Sequence, residues 1–121
     1  ARFVDKNRGL AHGDLLRNDM ERLPFRKGVF DTICCFEVME HVLSPELVLR
    51  EFHRTLKAHG TVMLSWSSGA NLMSGHVSAA EPEEIREILQ ASRFSVQYLE
   101  EIPEAQTTYV EVRRLRARGK G

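Results

Sequence analysis

The chain has 121 residues, 42% of them hydrophobic and 28% charged, the balance of one folded domain with a modest core rather than of a disordered segment. Seventeen basic residues offset 17 acidic ones, so the molecule as a whole has no electrostatic preference for nucleic acid or anionic membrane. No apolar run approaches the ~20 residues that cross a bilayer, and no charged n-region precedes an apolar h-region, so neither a membrane span nor a signal peptide is expected.

Taken in chain order, "RFV" (Arg2 to Val4) is a short extended candidate and "GLAHGDLL" (Gly9 to Leu16) a weaker one. "RNDMERLPFRKG" is polar and interrupted by Pro24 and Gly28, which reads as a loop. Val29 to Phe36 is the clearest strand, β-branched and aromatic and almost continuously apolar, as suits a strand buried on both faces of a parallel sheet. Ser44-Pro45-Glu46 then opens a helix, with Ser44 as N-cap, Pro45 in the first helical position and Glu46 favoured by the macrodipole. Leu47, Val48, Phe52 and Leu56 form its apolar face, and Gly60 stands where a helix C-terminal glycine belongs.

"TVMLSW" (Thr61 to Trp66) is a second buried strand, followed by a long loop of small residues, "SSGANLMSGHVSAA". "EPEEIREILQAS" is a helix with acidic residues in its first turn. "FSVQYLEEI" and "TYVEVRRL" alternate apolar and polar residues and predict an antiparallel pair through a Pro103–Thr107 turn. Strand, helix, strand, helix, strand, strand is an α/β layered order with an antiparallel end.

Neighbouring strand residues point to opposite faces, so Cys34 and Cys35 are poor partners for each other, and the chain has no further cysteine. A reducing compartment, most simply the cytoplasm, is the expectation. Both thiols read as small buried hydrophobes rather than nucleophiles, because burial raises a thiol pKa.

"GDLLRNDMERLPFRKGVFDTICCFEVMEHV", "LVLREFHRTLKAHGTVMLS" and "EPEEIREILQASRFSV", in that order, resemble the C-terminal half of a Rossmann-like (class I) S-adenosylmethionine-dependent methyltransferase. They correspond to the family's fourth strand with its E-H-V ending, the following helix, and a helix-to-strand turn usually written L-K-P-G-G. Here that turn is Leu56-Lys57-Ala58-His59-Gly60, with one proline and one glycine absent. The resemblance implies an α/β fold: a truncated Rossmann-like methyltransferase sheet with helices on both faces and an antiparallel C-terminal strand pair. It also implies S-adenosylmethionine as cofactor and a methyl acceptor that the sequence does not name.

The family's first strand and glycine-rich turn have no counterpart, for no G-x-G occurs before Gly13. That turn brings backbone N–H groups to the cofactor. Its absence argues against methyl transfer by this chain alone. The alternative is a non-catalytic remnant that acts as an interaction or dimerisation module.

By the same resemblance, Asp14 and Leu15 are the adenine contacts, and Phe36 and Glu37 line the methionine end of the cofactor. His41 is a weak candidate for a general base or substrate contact, its unperturbed pKa lying near 6.5. E-H recurs across family members with different substrates, which favours a structural task for Glu40 and His41. Glu37, Glu40 and His41 form one local run without supporting donors elsewhere, so no metal site is expected. Trp66 and His76 fall where the family places substrate-facing groups, whereas His53 and His59 read as surface residues at a helix end. The tail "RRLRARGKG" reads as a solvated terminus rather than a nucleic-acid contact.

In the family's strand order, 3-2-1-4-5-7-6, the Val29–Phe36 strand pairs with the first strand. Lacking that partner, it would present an open edge. Three arrangements follow: a fragment of a longer protein, Arg2 to Leu16 folded onto the edge as substitute strands, or a homodimer joined through the Val29–Phe36 edges.

Overall fold

The apolar run at Val29 forms a strand over Phe30–Cys35, at the middle of a six-stranded sheet. The structure is a computed structural model that describes residues 2–5, 9–11, 20–68 and 78–116. Its elements are β1 (Arg2–Asp5), β2 (Gly9–Ala11), β3 (Phe30–Cys35), a 3-10 turn at Met39–His41, α1 (Pro45–Thr55), β4 (Leu56–Ser67), α2 (Pro82–Ala91), β5 (Phe94–Ile102) and β6 (Thr107–Arg114). The strand order is β2-β1-β3-β4-β6-β5.

β3 and β4 are parallel, with Ile33 opposite Val62 and Cys35 opposite Leu64. β6 runs antiparallel to both β4 and β5, the C-terminal pair that the alternation predicts. Its connection is a 3-10 turn at Pro103–Ala105, closed by Gln106 in the left-handed region (φ 51°).

On its other side β3 pairs antiparallel with β1, Phe3 opposite Ile33 and Val4 opposite Thr32. β1, with β2 beside it, thus lies against that edge, the placement of the substitute strands expected of Arg2 to Leu16. β1 occupies the edge at Thr32, Ile33 and Cys34, within the Val29–Phe36 stretch through which a homodimer would join.

α1 begins as its sequence dictates. Pro45 occupies the first turn, and the Ser44 hydroxyl accepts the Leu47 N–H at 3.4 Å. Near its C-terminus Glu51 and Arg54 fasten the preceding loop. The Glu51 carboxylate accepts the Leu23 N–H, and Arg54 donates to the carbonyls of Phe25 and Leu23. α2 begins at Pro82, and the Glu84 carboxylate reaches back to the Glu81 N–H at 3.0 Å.

Both described helices pack on one face of the sheet, where the resemblance leads to helices on two. β3 to β4 and β4 to β5 are each crossovers between parallel strands advancing in the same direction, and right-handedness sends both helices to the same side. Val48, Leu49 and Phe52 of α1 and Ile85 and Leu89 of α2 meet Ile33, Val62, Leu64, Val110 and Val112 in one core. Each such side chain contributes about 1.5–3 kcal/mol on full burial.

Gly60 does not end α1. The helix stops at Thr55, and Leu56 to Gly60 form the irregular start of β4, where the pairing with β3 shifts between Phe30 and Thr32. The left-handed residue there is His59 (φ 64°). Glycine is required at position 60 for space, because a Cβ would lie 2.8 Å from the Lys57 carbonyl oxygen and 2.8 Å from Leu56 Cδ2.

Candidate functional site

At the carboxyl end of β3 the chain makes a strained turn. Phe36 is 46% exposed, the largest aromatic surface on this rim, and its ring stacks on Tyr109 with centroids 6.2 Å apart. Glu37 follows in the left-handed region (φ 58°), costly for a residue with a Cβ. Its N–H donates to the Ser65 hydroxyl at 2.8 Å, which anchors the turn to the facing end of β4. The Glu37 carboxylate is exposed and makes no ion pair among the described residues.

Past that turn, a 3-10 segment buries Glu40 to 3% exposure. Its Oε1 accepts the Ser67 N–H at 2.9 Å, and its Oε2 lies 3.6 Å from His41 Nε2. Its backbone carbonyl accepts the Ser78 N–H at 2.9 Å, and the Ser78 hydroxyl donates to the Val42 carbonyl. Trp66 Nε1 donates to the Ser78 carbonyl at 2.7 Å. Glu40 thus ties three segments together, its carboxylate joining the turn after β3 to the end of β4 and its backbone carbonyl holding the chain that enters α2.

The structure brings Phe36, Glu37, Glu40 and His41 to one rim at the carboxyl ends of the parallel strands, where open α/β sheets bind ligands. Asp14, Leu15 and His76 lie outside the described residues. Trp66 departs from the expectation of a substrate-facing or half-exposed group: it is fully buried, its indole N–H satisfied inside the fold. Inward alternation along β4 places it in register with Val62 and Leu64. Cys35 is fully buried, which pushes its thiol up to about 12, whereas Cys34 is half-buried on the opposite face. Among the described residues no group of His, Cys, Asp and Glu is arranged to hold a metal ion, and no helix is long and apolar enough to cross a membrane.

Sequence reasoning passed over Ser65, Ser67 and Tyr109. Ser65 and Ser67 were visible as hydroxyl residues closing an otherwise apolar strand, a signal that the backbone nearby needs extra partners. Tyr109 became part of the rim only through register, since it sits opposite Ser65. Desolvation, then its hydrogen bond to Glu111, pushes the Tyr109 phenol up to about 12.

A family model described as "Methyltransferase domain" matches residues 1–64, just over half of the chain. The ubiquinone biosynthesis O-methyltransferase of Pseudomonas aeruginosa is 47% identical over 38 residues, 31% of this chain and 16% of that protein's length. Among solved structures, a chain of the complex between the Haloferax volcanii Trm112 methyltransferase activator and a methyltransferase superposes with a TM-score of 0.72 at 16% identity. The match covers 81% of this chain and 60% of that one. The 1,6-didemethyltoxoflavin-N1-methyltransferase of Burkholderia thailandensis, with 1,6-didemethyltoxoflavin and S-adenosylhomocysteine bound, superposes with a TM-score of 0.65 at 17% identity, covering 80% of this chain and 48% of that one. The chain thus spans less than two thirds of each of these relatives. Such structural likeness shows the fold, and the family match adds kinship: this chain belongs to the Rossmann-like S-adenosylmethionine-dependent methyltransferase family.

Proposed function

We propose that this chain is the part of a methyltransferase that carries the methionine-end wall of an S-adenosylmethionine site, and that it transfers the methyl group to an acceptor whose class its variable loops decide. The observation that carries this reading is the strained Glu37 turn. A left-handed glutamate, fastened by Ser65 and with an exposed carboxylate that makes no ion pair among the described residues, suits a role outside folding.

The residues present fit the cofactor. The exposed Phe36 ring offers an apolar wall for an aliphatic chain, and the Glu37 carboxylate would accept a terminal ammonium. Asp14 and Leu15 are the residues that would hold the adenine end, by resemblance to the family. When bound, S-adenosylmethionine supplies a sulfonium methyl open to in-line displacement by the acceptor's nucleophile, so that positioning supplies much of the rate. Glu40 holds the rim in place, and His41 beside it is the candidate for a general base or substrate contact. The neighbour with S-adenosylhomocysteine bound supports the cofactor assignment.

Calorimetric titration of the chain with S-adenosylmethionine tests the reading. Saturable heat that S-adenosylhomocysteine abolishes is the expected result. Absence of heat and of any thermal shift at millimolar cofactor would dispose of cofactor binding by this chain and leave a non-catalytic interaction module as its function.

A further inference from the structure

At the opposite end of the sheet from the rim, a cavity of about 700 Å³ opens between the start of β4, the start of β5 and the end of β6. His59, Ser95, Gln97, Arg113, Arg114 and Arg116 line it, all of them able to donate hydrogen bonds, and no carboxylate is among its lining residues. His59 to Ser65 is about 20 Å of extended chain, so the cavity is remote from the methyl-transfer rim.

The charge gathered here is not neutralised from within. Among the described residues no acidic side chain pairs with Arg93, Arg113, Arg114 or Arg116. Arg114 spends one N–H on the Leu56 carbonyl at 2.7 Å, and Arg93 spends one on the Arg116 carbonyl at 2.9 Å. The Nε atom of Arg114, and that of Arg93 outside the cavity's lining, are buried with no hydrogen-bond partner among the described residues. Arg113 and Arg116 are exposed and Arg114 is half-buried, and an anion in the cavity would supply the counter-charge that no described acidic side chain gives them. The field is felt by a neighbour: His53 is held below its ordinary pKa by desolvation and further by the charges of Arg114 and Arg93.

We propose that this cavity is an anion site that takes phosphate groups linked in a chain, as in a polyphosphate or a phosphodiester backbone. The planar guanidinium groups that β6 and the segment after it contribute match phosphate oxygens, and the volume exceeds what a single carboxylate would fill. No Phe, Tyr or Trp lines the cavity, so its arginines favour contacts to a phosphate backbone over base stacking. Arg118 and Lys120 continue the basic sequence beyond Arg116. This assignment stands apart from the cofactor reading and departs from the solvated tail expected from sequence.

The full chain is titrated with sodium tripolyphosphate, and separately with a labelled single-stranded DNA of about 12 nucleotides. The Arg113→Gln and Arg116→Gln variants are compared with Arg86→Gln, an equal charge loss on the exposed side of α2. Each cavity variant is expected to weaken binding about fivefold, and Arg86→Gln to leave it unchanged. The salt slope for the oligonucleotide should fall by about 0.7 per lost contact. Both ligands competing for the cavity, or either one alone showing the arginine dependence, supports the site and identifies the source of the phosphate. Equal loss in all three variants, or no binding of either ligand, overturns it.

Discussion

The Glu40 carboxylate accepts the Ser67 backbone N–H at 2.9 Å across 27 residues of sequence, and this bond closes the rim at the carboxyl ends of β3 and β4. Both residues are buried, so removing the acceptor strands a donor away from water. Glu40→Ala is expected to lower stability by about 1–3 kcal/mol, with Glu40→Gln costing less because an amide oxygen can still accept. Urea denaturation at constant m-value checks this. Equal and negligible losses in both variants would contradict the clamp.

His53 predicts a pH dependence of stability. Its Nε2 donates to the Leu115 carbonyl at 2.9 Å, and its ring meets Phe94 edge-on at 5.5 Å. Burial, then the charges of Arg114 and Arg93, hold the folded pKa below the ordinary 6.5. Between the two values the unfolded chain binds more protons than the folded one, so stability falls with falling pH. The contribution is intact above about 6.5 and is lost as pH drops through the folded pKa. Glu51, whose carboxyl is held low first by its hydrogen bond with Arg54, sheds its contribution only below 4.5. Denaturation midpoints should therefore decline from pH 7.5 to 5.5 in the parent chain and decline less in His53→Gln. A parent midpoint that rises on acidification would refute the assignment.

How much of this was legible in sequence depended on range. Ser44, Pro45 and the apolar spacing of α1 act within one helix, and the alternation of β5 and β6 acts within one hairpin, so both could be read directly. Gly60 was legible as special but for another reason: its constraint is crowding by Lys57 and Leu56, while the left-handed turn fell to His59. Trp66 was misplaced because a strand's end looks alike in sequence whether or not a later segment covers it, and here Ser78 does. The rim itself depends on contacts such as Glu40 with Ser67 and Glu37 with Ser65, whose pairing only the sheet register decides. The arginine cavity is assembled from β4, β5 and β6, so a tail read alone could not disclose it.

Glu37 sets stability against binding in a way that two variants separate. Its left-handed backbone (φ 58°) costs a residue with a Cβ about 1–2 kcal/mol, and the Ser65 hydroxyl accepting its N–H at 2.8 Å helps hold the turn. Glu37→Gly removes that strain at some cost in unfolded-chain entropy, for a net gain in stability of up to about 1 kcal/mol. The same change deletes the exposed carboxylate, so affinity for S-adenosylmethionine should fall while the fold becomes firmer. Ser65→Ala should do the reverse to the fold, costing about 1 kcal/mol by freeing the Glu37 N–H, and should weaken the cofactor only through the displaced turn. Denaturation and calorimetric titration of both variants distinguish these roles. A Glu37→Gly chain that loses stability would mean the turn is unstrained, and one that keeps full affinity would place its carboxylate away from the cofactor.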